Sequence, residues 1–201
     1  MSSIVIAGNT SGAITIAAPA EAGLNTLTLP ASTGTVALTS DISASVTAVQ
    51  THLNTTSSQS ITANTRANIS GLNATITPST TSKRIKVTVR WNGEYSSTVN
   101  YDATFGIKRD TTDIGNPAAD GSRNVGIAII SQGYWAADAD STPDSAMYSY
   151  IDSPATTSAT TYHATYLNKV AANLYNQRTV NDTNNTDNER LTSNIILEEI
   201  D

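Results

Sequence analysis

KRIKVTVRWNGEYSSTVNYDATFGI, residues 83–107, decides the fold class. Ile85, Val87, Val89 and Trp91 alternate with Lys86, Thr88 and Arg90. A period of two places the apolar side chains on one face of a strand and the polar ones on the other, as in an antiparallel sheet with one solvated side. Asn92-Gly93 follows, a dipeptide suited to the left-handed backbone of a tight hairpin, so a turn is expected there. Val99, Tyr101, Ala103, Phe105 and Ile107 then repeat the alternation. Trp91, in phase with Ile85, Val87 and Val89, is expected in the core.

Downstream, Arg109-Asp110-Thr111-Thr112 reads as a turn toward Ile114. Further strands are expected at 125–130, 146–151, 162–167, near 174–180 and at 194–200. The last carries Ile195, Ile196, Leu197 and Ile200, apolar on both faces, and is therefore expected to be central in its sheet. Many short strands with no helical pattern after residue 54 predict an all-β domain over 59–201, a jelly-roll-like β-sandwich.

Upstream, the apolar pairs Ile4/Ile6, Ile14/Ile16, Leu27/Leu29 and Val36/Leu38 alternate briefly between Gly, Pro, Ser and Asn. Residues 1–41 are expected to be a module of short strands with too little apolar surface for a core of its own. Ile42, Val46, Val49 and Leu53 are spaced four, three and four, the a/d seam of a coiled coil. Ser40 suits an N-cap and Asp41 a first turn. The spacing predicts a helical neck, and β-branched seam residues favour three strands, so a homotrimer is expected. The plainer alternative is a linker with fortuitous spacing. Asn54 to Ser58 (NTTSS) closes this 42–58 segment.

Charged residues make up 14% of the chain, and Ser, Thr and Asn take their place. That composition suits turns and strands rather than long helices. The net charge of −6 gives no basic face for a nucleic acid. With no cysteine there is no disulfide framework and no thiolate metal site. The chain shows no apolar run long enough to insert in a membrane, and its first residues show no signal-peptide pattern; synthesis in a cytoplasm is expected.

Chemistry is sparse. The two histidines, His52 and His163, are far apart, no GxSxG or phosphate loop occurs, and no transition-metal site or catalytic residue is assigned. Asp138, Asp140 and Asp144 fall within seven positions and form a candidate calcium loop. Pro143 and the absence of the EF-hand glycine favour a solvated acidic loop instead. The polar loop 181–190 (NDTNNTDNER) reads as turn chemistry. Tyr134 and Trp135 beside that acidic stretch are candidate ligand-binding residues, since exposed aromatics near Asp suit sugars and protein receptors; the alternative is that they cap the core. No cofactor is expected apart from calcium.

The stretch GAITIAAPAEAGLNTLTLPASTGTVALTSD, residues 12–41, resembles a module of bacteriophage virion proteins, chiefly tail fibres. SKRIKVTVRWNGEY (82–95), FGIKRDTTDIG (105–115) and YIDSPATTSATTYHATY (150–166) resemble C-terminal domains of marine phage fibre-like proteins. At the level of fold the domain is similar to the trimeric jelly rolls of the tumour-necrosis-factor and C1q type. These resemblances imply a virion structural protein made in the host cytoplasm, a trimeric fibre or adhesin. The N-terminus would attach to other virion proteins of tail or capsid, and the C-terminal domain would face a host-surface glycan or protein. A trimeric capsid decoration or head-fibre protein is the alternative, and a small glycan hydrolase a remote one.

Overall fold

A computed structural model describes residues 3–7, 13–17, 48–52, 56–95, 102–119, 121–130 and 141–201. The chain divides into two compact units, Met1–Ala44 and Ser45–Asp201. The first contains an antiparallel pair, β1 (Ser3–Ala7) and β2 (Ala13–Ala17), in a register that sets Ile4 opposite Ile16 and Ile6 opposite Ile14. The Leu27/Leu29 and Val36/Leu38 pairs lie outside the described residues.

The second unit is all β and antiparallel, with almost no helix, and is consistent with a β-sandwich. Its strands are β3 (Ala48–His52), β4 (Ser57–Ile61), β5 (Ala67–Ile76), β6 (Arg84–Tyr95), β7 (Thr104–Arg109), β8 (Thr112–Ile114), β9 (Asp144–Asp152), β10 (Thr160–Leu167), β11 (Ala172–Asn176) and β12 (Asn194–Ile200). One sheet has the order β5-β10-β7-β8. The other is built on β6. β9 pairs with one edge of β6 over residues 85–93. On the opposite edge β12 pairs over 84–90 and β11 over 93–95. β3 and β4 continue outward from β12 and β11. From β4 to β11 successive strands alternate between the two sheets, except for the β7–β8 pair, so this part of the chain winds around one shared core.

The alternation in 83–91 has the predicted consequence. Ile85, Val87, Val89 and Trp91 are fully buried while Arg90 is exposed. Opposite them on the other sheet lie Phe105 and Tyr166, and Tyr148 of β9, beside β6, meets Phe105 across the layers. Trp91 lies 5.1 Å from Phe105 between ring centroids, and Phe105 meets Tyr166 edge-on at 5.3 Å. Trp91, Tyr148 and Tyr162 also find polar partners for their buried polar atoms. Trp91 Nε1 donates to Asn176 Oδ1 at 2.8 Å, and the Tyr148 hydroxyl donates to the Gly106 carbonyl of the other sheet at 3.0 Å. At the opposite end, the Tyr162 hydroxyl and Arg109 of one sheet both donate to the Asp152 carboxylate of the other.

Several expectations are corrected. Asn92-Gly93 is no turn, because β6 runs through it to Tyr95. Gly93 is needed there for close packing: a Cβ would lie 2.1 Å from the Tyr175 carbonyl and 2.8 Å from the Trp91 ring. The gap between β11 and β12 falls at Asn92. Its carbonyl accepts from the Gln177 amide, and its amide donates to Ser193 Oγ, each at 2.9 Å. Residues 48–52 form a strand rather than the end of a helical neck. Val49 satisfies both periods, but the backbone N–H and C=O groups on the outer edge of β12 need partners, and residues 48–52 supply them, with Val49 opposite Leu197. Tertiary pairing overrides the local spacing. Ile42, Val46 and Leu53 lie outside the described residues. Residues 125–130 form no strand; they touch β7 through one bridge, Phe105 to Ala128. β12 is central, as its two apolar faces predict.

Two measurements probe these contacts. Gly93→Ala should cost about 3 kcal/mol in denaturant unfolding, since backbone lies in the way. Gly121→Ala, where the nearest atom is 3.9 Å away and only its φ of 62° resists, should cost less. Equal effects would contradict the assigned β6–β11 approach. Glu199 on β12 accepts from the amide and hydroxyl of Ser79, at 2.6 and 2.7 Å, and these bonds hold its pKa below the usual carboxylate value. A depressed folded pKa stabilises above the unfolded value and is lost as pH falls through the folded one. Glu199→Gln should therefore lower the melting temperature at neutral pH, with the difference from the native chain shrinking as the carboxylate range is crossed downward.

Candidate functional site

At the end of the sandwich where β7 begins and β10 finishes, three connections converge: the β4–β5 turn, the β10–β11 turn and the segment 121–130. They enclose an open groove of about 510 Å³. Asn64 comes from the first turn, Lys169 from the second, and Ser122, Arg123, Asn124 and Ile129 from the third, with Asp102, Ala103 and Thr104 along the start of β7.

The turns are held to one another. Asn64 adopts a left-handed φ of 53°, tolerable for Asn. Its amide donates to the Asn168 carbonyl at 2.8 Å, tying the β4–β5 turn to the β10–β11 turn. Lys169 Nζ lies 3.5 Å from Asp102 Oδ2. The 121–130 segment is stitched to β7: Phe105 donates to the Ala128 carbonyl at 2.7 Å, and Ile127 donates to the Phe105 carbonyl at 2.8 Å. Ile127, Ala128 and Ile130 pack on the core, whereas Ile129 is 68% exposed and turns toward the groove.

Arg66 fastens this frame from behind. Its side chain is almost wholly buried, with Asp113 3.8 Å away. Its guanidinium donates to Thr165 Oγ1 at 3.0 Å, Thr104 Oγ1 at 3.2 Å and the Val125 carbonyl. Burial lowers the guanidinium pKa, and the field of Asp113 partly restores it. Arg66 fits because β7 has Gly106 beneath it, where a Cβ would lie 2.7 Å from its Nη1.

The anticipated site residues fall differently. Tyr134, Trp135, Asp138 and Asp140 lie outside the described residues. Asp144 begins β9 and is buried opposite Gly93, so it is a strand residue rather than part of a solvated loop. Among the described residues no three metal-ligating side chains cluster. His163 sits in β10 between Asn73 and Lys108; burial lowers its pKa, and Asp110 opposes the shift. His52 is exposed on β3. Loop 181–190 is held by turn chemistry, with Asn181 Oδ1 accepting from the amide and hydroxyl of Thr183 and Asn185 Oδ1 from the amide of Asp187.

Sequence reasoning missed Asn64, Asp102, Asn124 and Lys169. They share no motif and meet only because the two sheets bring their connections to one end. The polar turns flanking β5 and β10 were the available signal. No family model matches this chain, and no curated protein matches it.

If Arg66 is the fastener, Arg66→Met should reduce stability by about 2–3 kcal/mol, since hydrogen bonds from a charged donor are lost. Amide exchange should quicken at Ile127 and Ala128 well before Ile195 and Leu197 on β12. Uniform acceleration would show that Arg66 supports the whole sandwich and not this segment.

Proposed function

We propose that this chain is a structural component of a bacteriophage virion, a homotrimeric fibre- or adhesin-type protein whose second unit is a jelly roll. The observation that carries the reading is the division into a small unit, Met1–Ala44, that holds the β1–β2 pair, and a sandwich whose chain passes from sheet to sheet. The first contains the whole of the stretch resembling phage fibre modules, and the winding of the second is compatible with a jelly roll. In this reading the N-terminal unit attaches to tail or capsid proteins and the sandwich projects, offering its loop end to a host-surface glycan or protein. Rigid strands that present ligand-facing connections at one end are a common arrangement for recognition. The protein would be made in the host cytoplasm and reside in the virion, and the reading assigns it no catalytic residue.

Light scattering on the full chain should give three times the 21.0 kDa chain mass; a monodisperse monomer at micromolar concentration would remove the trimer. Immunogold labelling of particles should mark the tail. Uniform head labelling would move the protein to the capsid-decoration role, and unlabelled particles would end the virion reading.

A further inference from the structure

We infer that the groove at the loop end is a binding site for a neutral saccharide bearing vicinal hydroxyls. This rests on the host-binding reading above and places its ligand on residues 64, 102, 122, 124, 129 and 169 rather than on Tyr134 and Trp135.

The first observation is which polar groups the fold leaves unspent. Around the groove, Arg66 and Thr104 are consumed in holding the 121–130 segment. The side chains of Asn64, Ser122 and Asn124 make no hydrogen bond among the described residues, though all three line the groove. A carboxamide offers donors and an acceptor from one planar group, and a hydroxyl does the same. Adjacent sugar hydroxyls, each both donor and acceptor, match such groups.

The second observation is charge. Asp102 and Lys169 sit 3.5 Å apart and neutralise one another, leaving the carboxylate able to accept from hydroxyls. Arg123 is engaged in an interaction of its own. A phosphate or sulfated polymer would meet the Asp102 carboxylate beside the cation it sought. An apolar ligand fits no better, since it would strip water from Asn64, Asn124 and Asp102 without replacing the hydrogen bonds. Ile129, 68% exposed, supplies an apolar surface for the C–H face of a ring. The groove volume, about 510 Å³, lies within the ordinary range for small-ligand sites.

The test uses the full-length protein and a panel of D-glucose, D-galactose, D-mannose and N-acetyl-D-glucosamine at millimolar concentration, read by saturation-transfer NMR and calorimetry. At least one should bind saturably. Asn124→Ala, which removes a carboxamide from an exposed position, and Asp102→Asn, which replaces a carboxylate by a weaker acceptor, should each weaken that sugar about tenfold, and Asn124→Ala should leave the melting temperature unchanged. Gln50→Ala, on the exposed face of β3, should bind as the native chain does. Binding by none of the four, undiminished binding by both groove variants, or binding only to heparin would each overturn the inference. Virion labelling is an independent readout, so a negative sugar result leaves the structural-protein reading standing, and unlabelled particles leave the groove measurement intact.

Discussion

The sandwich depends on the register of β6. This strand hydrogen-bonds to β9 along one edge and to β12 and then β11 along the other. Its inward side chains, from Ile85 to Trp91, form the floor against which the aromatics of the other strands pack. A slip of one residue would turn Lys86, Thr88 and Arg90 into the core and expose all of the apolar ones. Gly93 fixes the register from its far end, because only a residue without a Cβ can pass under the Tyr175 carbonyl beside the Trp91 ring. Where β11 gives way to β12, the break is covered by Gln177 and Ser193 rather than left open, which keeps a long strand usable next to two short ones.

Much of this was legible because alternation is a strong signal when one face is solvated. β9, β10 and β12 follow from it, as does the burial of Trp91. The misreadings share a cause. Val49 lies at a position consistent with a heptad and with a strand, and only the distant need of β12 for a neighbour decides between them. Asn92-Gly93 has turn chemistry locally and a packing role globally. β5 escaped notice because its inward residues Ile69, Leu72, Ala74 and Ile76 skip a position at Gly71, whose φ of 78° accompanies a register shift against β10. β4 is a run of Ser and Gln resembling a linker, and its neighbours rather than its own side chains make it a strand.

The candidate site was less legible still. Its residues occupy four separate connections and strand starts, so their proximity is a property of the topology. What holds them is unlike what lines them. A buried arginine, a left-handed asparagine and backbone bonds to Phe105 fix the frame, while the groove side chains themselves are little constrained. That separation allows the lining to vary while the frame persists.

The position of β12 has a consequence for biosynthesis. Residues 194–200 lie between β3 and β6 in the sheet, although they are translated after both. A nascent chain therefore exposes two strands whose common neighbour has not yet emerged, with Val49 and the β6 edge unpaired beside one another. Until β12 arrives, those edges are open to strands from neighbouring chains on the same polysome. Premature termination anywhere upstream of residue 194 would leave β3 without its partner and the 84–90 edge of β6 open, so truncated products are expected in aggregates rather than as shortened, soluble domains.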